Sequence, residues 1–132
     1  MEFLLSLLFV HAAIAQAPTH EEKEIKEEKV LSIEERIVLE ANKYGYDSKK
    51  AVAIARAESG LNPTAKNSLS SASGVFQFIN GTFKGFCIDT YKYAESMDEK
   101  NDPDVQIKCA VRMLAEGGDS HWDESRKVWD TK

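Results

Sequence analysis

Glu58 is the residue of this chain whose type and position could do acid–base chemistry. It lies three residues after Ala55, four after Ile54 and seven after Ala51, so a helix places its carboxyl group on the apolar face. Burial of a carboxyl group raises its pKa, because the charged form loses hydration. Such a group can donate a proton near neutral pH, as a general acid must. The alternative is that the helix ends at Glu58 and the carboxylate reaches water or caps a neighbouring turn.

Two sequence blocks accompany this carboxyl group at a defined spacing. The first is Glu58-Ser-Gly-Leu-Asn-Pro-Thr-Ala65, and the second is Ser68-Leu-Ser-Ser-Ala-Ser-Gly-Val-Phe-Gln77. Together they resemble the signature of the lytic transglycosylases that have a goose-lysozyme-like catalytic domain. A further stretch, Asp102 to Leu114, is similar to the helix that packs behind the cleft in that family. The resemblance extends over about residues 33–114.

The resemblance implies a fold, a reaction and a set of site residues. The fold is a mainly α, lysozyme-like single domain of several short helices around a glycan-binding cleft. The reaction is cleavage of the bond between N-acetylmuramic acid and N-acetylglucosamine in peptidoglycan. Glu58 would act as acid and then as base while the C6 hydroxyl of the muramic acid closes on C1, which leaves an anhydro-sugar end. Ser68 and Gln77 would line the sugar subsites, with Ile79 near the floor of the cleft.

The chain departs from the family pattern near its C-terminal end. The Ala-Tyr-Asn-Ala-Gly stretch of larger members is missing, and the segment His121-Trp-Asp-Glu-Ser-Arg-Lys-Val-Trp129 stands in its place. This tail resembles that of short, single-domain members and suggests a trimmed cleft. Trp122 could stack on a sugar face, whereas the alternative is that Trp122 and Trp129 seal a small core. Gln106 stands where an asparagine is common in the family.

Whether the site has a second carboxyl group matters for the mechanism, because most glycosidases use two carboxyl groups. No second acid belongs to the motif, and the nearest on its C-terminal side are Asp89, Glu95 and Asp98. The intramolecular route needs only Glu58, so it fits this pattern. Two alternatives stay open: a hydrolytic muramidase on the same fold, and a peptidoglycan-binding module without activity.

Helices must position these residues. Ser32 and Glu35 have the spacing of a capping box at the start of a first helix. Asp47 can cap a second helix that runs to about Ser59, and Asp102-Pro103 begins a later one.

The segment between the second helix and this later helix is harder to assign. The apolar residues of 75–79 favour a short helix over a strand, although runs this short are ambiguous by period. Residues 80–82 read as a turn, and Thr82 could cap a helix that continues through Tyr91.

The N-terminal residues are typical of a targeting segment. An apolar run, Phe3 to Val10, precedes Ala13-Ile-Ala15, which has the small-x-small pattern of a cleavage site, although Glu2 stands where signal peptides carry a basic residue. We therefore predict a signal peptide over 1–15, a charged tether over 16–31 and the lysozyme-like domain over 32–132. The protein would be exported to the periplasm, the cell envelope or the medium.

Export also bears on the two cysteines of the chain. In an oxidising compartment Cys87 and Cys109 would form a disulfide, whereas the alternative is two buried thiols.

Composition limits the partners. The net charge is −5 and no Lys/Arg cluster is present, which argues against nucleic acid. The N-terminal apolar run is too short for a stable membrane span. After cleavage only His20 and His121 remain, without a His-x-x-x-His or Cys-x-x-Cys pair, so neither a metal nor another cofactor is expected. Peptidoglycan glycan strands are the expected partner. A monomer is expected, although no sequence feature determines the oligomeric state.

Overall fold

The computed structural model describes residues 29–130 of the 132-residue chain. The predicted signal peptide and all but the last three residues of the predicted tether lie outside the described residues. The elements are α1 (Ile33–Lys43), α2 (Ser48–Ser59), α3 (Asn80–Thr82), a π-helix (Phe83–Thr90), a first 3₁₀ helix (Met97–Glu99), α4 (Pro103–Ala115), a second 3₁₀ helix (Asp119–Ser125) and α5 (Arg126–Trp129). Between residues 29 and 130, pairing of extended backbone is limited to isolated bridges, so the mainly α prediction is confirmed.

Local capping starts α1 and α2 where the sequence predicts. Ser32 Oγ accepts from the Glu35 N–H at 3.1 Å, and Glu35 Oε1 accepts from the Ser32 N–H at 3.0 Å, which completes the capping box. Asp47 accepts from two N–H groups in the first turn of α2. Gly60 ends α2 with a left-handed φ of 64°.

The core forms where α1 packs against α2 and α4, and α2 against α5. α4 contributes the largest buried face, and a disulfide between Cys109 and Cys87 joins it to the π-helix. No helix in the described range 29–130 is long and apolar enough to cross a membrane.

The helix predicted over residues 75–79 is wrong. This segment is a tight loop in which Ser73 and Phe78 exchange backbone hydrogen bonds of 3.2 and 3.1 Å. Gly74 and Gln77 take left-handed φ values of 85° and 54°, which an α-helix cannot accommodate. The apolar side chains are buried all the same, because Val75, Phe76 and Phe78 pack into the core from this loop.

The turn predicted over 80–82 and the cap predicted at Thr82 are also wrong. The helix begins at Asn80, and Thr82 lies inside it with φ −67° and ψ −43° and makes no capping hydrogen bond. Ile79 supplies the extended residue before the helix, and its carbonyl accepts from the Phe83 N–H at 3.0 Å. The N–H of Asn80, the first of this helix, donates to Ser71 Oγ at 2.9 Å, so a side chain from the preceding loop takes the place of the predicted Thr82 cap.

Candidate functional site

Glu58 lies in the last turn of α2, half-buried beside an open groove of about 580 Å³. We call this the Glu58 groove; α2 contributes Ala57 and Glu58 to its wall, and the other walls are the loop over 67–79 and the second 3₁₀ helix. Ala51, Ile54 and Ala55 of α2 are fully buried, so the apolar face that the sequence predicts does carry Glu58 to the edge of the core.

Burial and two neighbouring groups shift the pKa of the Glu58 carboxyl. Burial raises its pKa, and the negative charge of Glu124 raises it further, while a hydrogen bond from the Ser125 hydroxyl lowers it. Burial is the largest of these effects, so the carboxyl keeps its proton to a higher pH than an exposed glutamate does. A proton held in this way is available for transfer to a bound molecule.

Ser125 is itself held by two tryptophans of the C-terminal segment. Trp129 Nε1 donates to Ser125 Oγ at 3.0 Å, and Ser125 Oγ lies 3.2 Å from the Trp122 carbonyl oxygen. The single hydroxyl proton therefore has two acceptors, the Trp122 carbonyl and the Glu58 carboxyl. This arrangement places a hydroxyl of the C-terminal segment beside the Glu58 carboxyl.

Gln77 lines the Glu58 groove, with its amide nitrogen bound to the protein. Nε2 donates to the carbonyl oxygens of Ala65 and Gly74 at 3.1 and 2.9 Å. Gln77 therefore has a structural role, since its amide bonds the backbone of its own loop. Because a primary amide has only two N–H donors, the group left for a ligand is the acceptor Oε1.

The other predicted site residues differ in their placement. Ile79 lines the groove and is 48% exposed. Ser68 is exposed but is not part of the groove wall, whereas its neighbours Asn67 and Ser70 are. Trp122 lines the groove but is only 4% exposed.

Trp122 belongs to the core as well as to the groove. Its Nε1 donates to the Phe76 carbonyl oxygen at 2.9 Å, and its ring meets Phe76 and Phe78 edge to face at 6.0 and 6.1 Å. Trp129 is buried beside it, so the alternative in which the two tryptophans seal a small core is confirmed. A sugar-stacking role for Trp122 stays a prediction.

Sequence reasoning missed the acidic wall of the groove. Asp123, Glu124 and Ser125 line it from the second 3₁₀ helix, whereas the acids nearest to the motif in sequence, such as Asp89 and Glu95, do not. The available signal was the polar Asp-Glu-Ser run between two tryptophans. Nothing in that run indicates which part of the chain it meets.

Within residues 29–130, no group of three or more His, Cys, Asp or Glu side chains could hold a metal ion.

Comparisons with known proteins are consistent with this geometry. Residues 35–126 match the family model described as "Transglycosylase SLT domain". Two relatives, both named "Probable transglycosylase SceD" and from Staphylococcus aureus strains Newman and USA300, are 37% identical over 70 residues, or 52% of this chain. The chain spans 29% of the length of these relatives. No solved structure gives a significant match. Because the family match covers more than half of its residues, the chain belongs to the transglycosylase SLT domain family.

Proposed function

We propose that this protein cleaves the bond between N-acetylmuramic acid and N-acetylglucosamine in peptidoglycan, with Glu58 as acid and base. The observation that carries the proposal is a half-buried carboxyl group, its pKa raised by burial, beside an open groove large enough for sugar rings. The family and the name of the relatives support the same class of reaction. We also propose export, because peptidoglycan lies outside the cytoplasm.

The reaction needs one proton that is donated and then recovered. Protonated Glu58 gives its proton to the glycosidic oxygen as the bond from that oxygen to C1 breaks, so the leaving sugar departs as an alcohol. The C6 hydroxyl of the muramic acid then attacks C1 and loses its proton to the Glu58 carboxylate. No water is consumed, and the product end is a 1,6-anhydro sugar. The raised pKa suits the first step, and the Ser125 hydroxyl stabilises the carboxylate formed in it.

One hydrogen-bond acceptor and an apolar surface of the groove suit a sugar substrate. Gln77 Oε1 can accept from the N–H of an acetamido group or from a hydroxyl, since the Nε2 donors are engaged. Ile79 and the edge of Trp122 offer apolar surface to a sugar ring. Ser68 stays a proposed subsite residue; it is exposed and lies between Asn67 and Ser70 in the sequence, both of which line the groove.

A hydrolytic muramidase is the second candidate, and one observation favours it. Asp123 and Glu124 line the same groove as Glu58, so a second carboxylate is available to activate water. Water would then take the place of the C6 hydroxyl, and the product would have a reducing end.

Digestion of purified peptidoglycan, with the products identified by mass spectrometry, tests both candidates. We expect anhydro-muropeptides from the wild type and a rate at least about 100-fold lower from Glu58→Gln, which cannot donate a proton. Glu124→Gln is the matched variant across the groove, and it should still yield the anhydro product. Reducing ends that disappear in Glu124→Gln would establish hydrolysis instead. Retained wall binding without any product would leave a binding module and would contradict the enzyme proposal.

A further inference from the structure

A second open groove, of about 480 Å³, adjoins the Glu58 groove. The two share Asn67, Ser70 and Ala72 in their walls. We call it the Lys100 groove; the other residues that line it include Lys66, Ser71, Asn80, Met97, Lys100 and Asn101. A ligand held at Glu58 could therefore extend a branch into the Lys100 groove without crossing intervening protein.

The two grooves differ in charge. The Glu58 groove has three acidic residues in its wall, whereas the wall of the Lys100 groove contains two lysines and no Asp or Glu. The chain as a whole has a net charge of −5, so a basic groove is a local exception. A neutral sugar is not repelled by the acidic Glu58 groove, whereas binding of an anion is electrostatically favoured only in the basic Lys100 groove.

Lys100 holds a buried positive charge that the protein does not neutralise. The residue is 7% exposed, and within the described part of the chain no carboxylate oxygen lies within 4.0 Å of Nζ. Nζ donates to the Ser71 carbonyl oxygen and to Asn80 Oδ1, which are both neutral, so one of its three N–H donors stays available. A buried ammonium without an anion is costly, and a bound carboxylate would offset that cost. Lys66 lies exposed on the same groove, also without an ion pair in residues 29–130.

The amide side chains of the groove have their oxygen atoms engaged inside the protein. Asn67 Oδ1 accepts from a backbone N–H at 2.8 Å, and Asn80 Oδ1 accepts from Lys100 Nζ at 2.8 Å. Asn101 Oδ1 pairs with the Ser73 hydroxyl at 2.7 Å. Each of these amides is therefore left with its Nδ2 donors.

The serine hydroxyl oxygens of the groove are also engaged inside the protein. The oxygen atoms of Ser70 and Ser71 accept from backbone N–H groups at 3.1 and 2.9 Å, which leaves their protons to donate. The groove thus presents two cations and several free donors, while each of these acceptor oxygens already takes part in one hydrogen bond within the protein. This chemistry matches a ligand that carries carboxylates and carbonyl oxygens.

We propose that the Lys100 groove binds the carboxylate-bearing peptide branch of the muramic acid that lies in the Glu58 groove, with Lys100 and Lys66 as its cationic contacts. The inference rests on the proposed function, since that sugar is where the peptide is attached. It makes this protein selective for strands that still carry peptides.

The first test measures binding without catalysis. The probe is a free peptidoglycan stem tetrapeptide with its carboxylates intact, titrated calorimetrically into the full-length protein. We expect Lys66→Glu and Lys100→Met each to weaken binding at least tenfold, while Lys108→Glu, the same charge reversal at an exposed lysine outside both grooves, changes it less than twofold. The tetrapeptide with amidated carboxylates should bind at least tenfold more weakly to the wild type. Lys66 is exposed, so Lys66→Glu keeps the test valid if Lys100→Met fails to fold.

The second test compares cleavage of peptide-bearing strands with cleavage of strands stripped of peptides by an amidase. Lys66→Glu should lower kcat/KM at least tenfold on peptide-bearing strands and leave it unchanged on stripped ones. Equal losses of kcat/KM on both substrates would mean that the groove binds sugar, and this would overturn the inference. Unchanged kcat/KM on both substrates, together with no measurable tetrapeptide binding, would mean that the groove binds neither, and this would also overturn it. Peptide binding that depends on Lys66, without cleavage of any strand, would support the groove and contradict the proposed function.

Discussion

A Cβ atom added to Gly74 would lie 2.1 Å from Gln106 Nε2, because the side-chain amide of Gln106 fills the space beside this backbone. Gln106 is fully buried in α4, and it serves three backbone groups of the neighbouring segments. Its Oε1 accepts from the Phe76 N–H at 2.9 Å, and its Nε2 donates to the carbonyl oxygens of Ser73 and Lys100 at 2.9 and 2.8 Å. One side chain thereby satisfies the polar backbone of the loop that borders the Glu58 groove.

Gly74→Ala should therefore lower the free energy of unfolding by about 2 to 4 kcal/mol. Overpacking against Gln106 contributes about 1–3 kcal/mol, and the left-handed φ of 85° adds about 1 kcal/mol. Urea unfolding measures the change. Gly81→Ala is the control, since a Cβ there meets nothing within 4 Å and residue 81 lies in a helix. Equal unfolding midpoints for Gly74→Ala and the wild type would mean that the loop and Gln106 separate at little cost.

Ser125→Ala should move the alkaline limb of the pH–rate profile to higher pH. The Ser125 hydroxyl lowers the pKa of Glu58, so its removal leaves that pKa higher and keeps the acid protonated further into the alkaline range. Trp129 Nε1 retains the Trp122 carbonyl as an acceptor at 3.2 Å, so the fold should persist. Ser120→Ala, in the same groove wall, is the matched control. A profile that keeps its shape while the rate falls would indicate a purely structural role for Ser125.

Glu58→Gln should make the protein more stable than the wild type at neutral pH, even though it removes activity. Burial raises the folded-state pKa of Glu58 above its usual value of 4.5, so the folded state binds the proton more tightly than the unfolded state does. The stabilisation that this proton brings is complete below pH 4.5 and is lost as the pH rises through the folded-state pKa. Glutamine does not titrate, so its advantage should appear across this range and vanish on acidification. Urea unfolding between about pH 4 and pH 8 measures it, with Glu95→Gln, at an exposed position, as the control. A pH-independent difference would contradict burial as the cause.

Reduction of the Cys87–Cys109 bond should lower the free energy of unfolding by about 3 kcal/mol. The estimate follows from the chain entropy of a loop that closes over a separation of 22 residues. Chemical unfolding with and without a thiol reductant measures the change. The double variant Cys87→Ala/Cys109→Ala should not respond to the reductant. If it does respond, the effect comes from a source other than this bond.

Sequence patterns predicted the helices with strong local signals. The capping box at Ser32, the cap at Asp47 and the Asp102-Pro103 start all depend on residues within one turn, so the sequence contains the whole interaction. The prediction of a mainly α, lysozyme-like domain is confirmed by the helices and by the family. The helix prediction failed over 75–79, where left-handed backbone at Gly74 and Gln77 and the contact with Gln106 override the apolar pattern. The turn prediction failed over 80–82, where the helix begins at Asn80.

Residue order alone placed Glu58 on the apolar face of a helix, because the period of an α-helix relates it to Ile54 and Ala55. Only the tertiary structure decided which groups surround its carboxyl. Ser125 and Glu124 reach it from the C-terminal segment, which is anchored by the hydrogen bond from Trp122 to Phe76 across 46 residues. Gln106 supports the loop of Gln77 from α4, bonding to Phe76 across 30 residues. Periodicity reports which face of a helix is apolar, but it holds no information on which distant segment covers that face, since that choice depends on how the whole core packs.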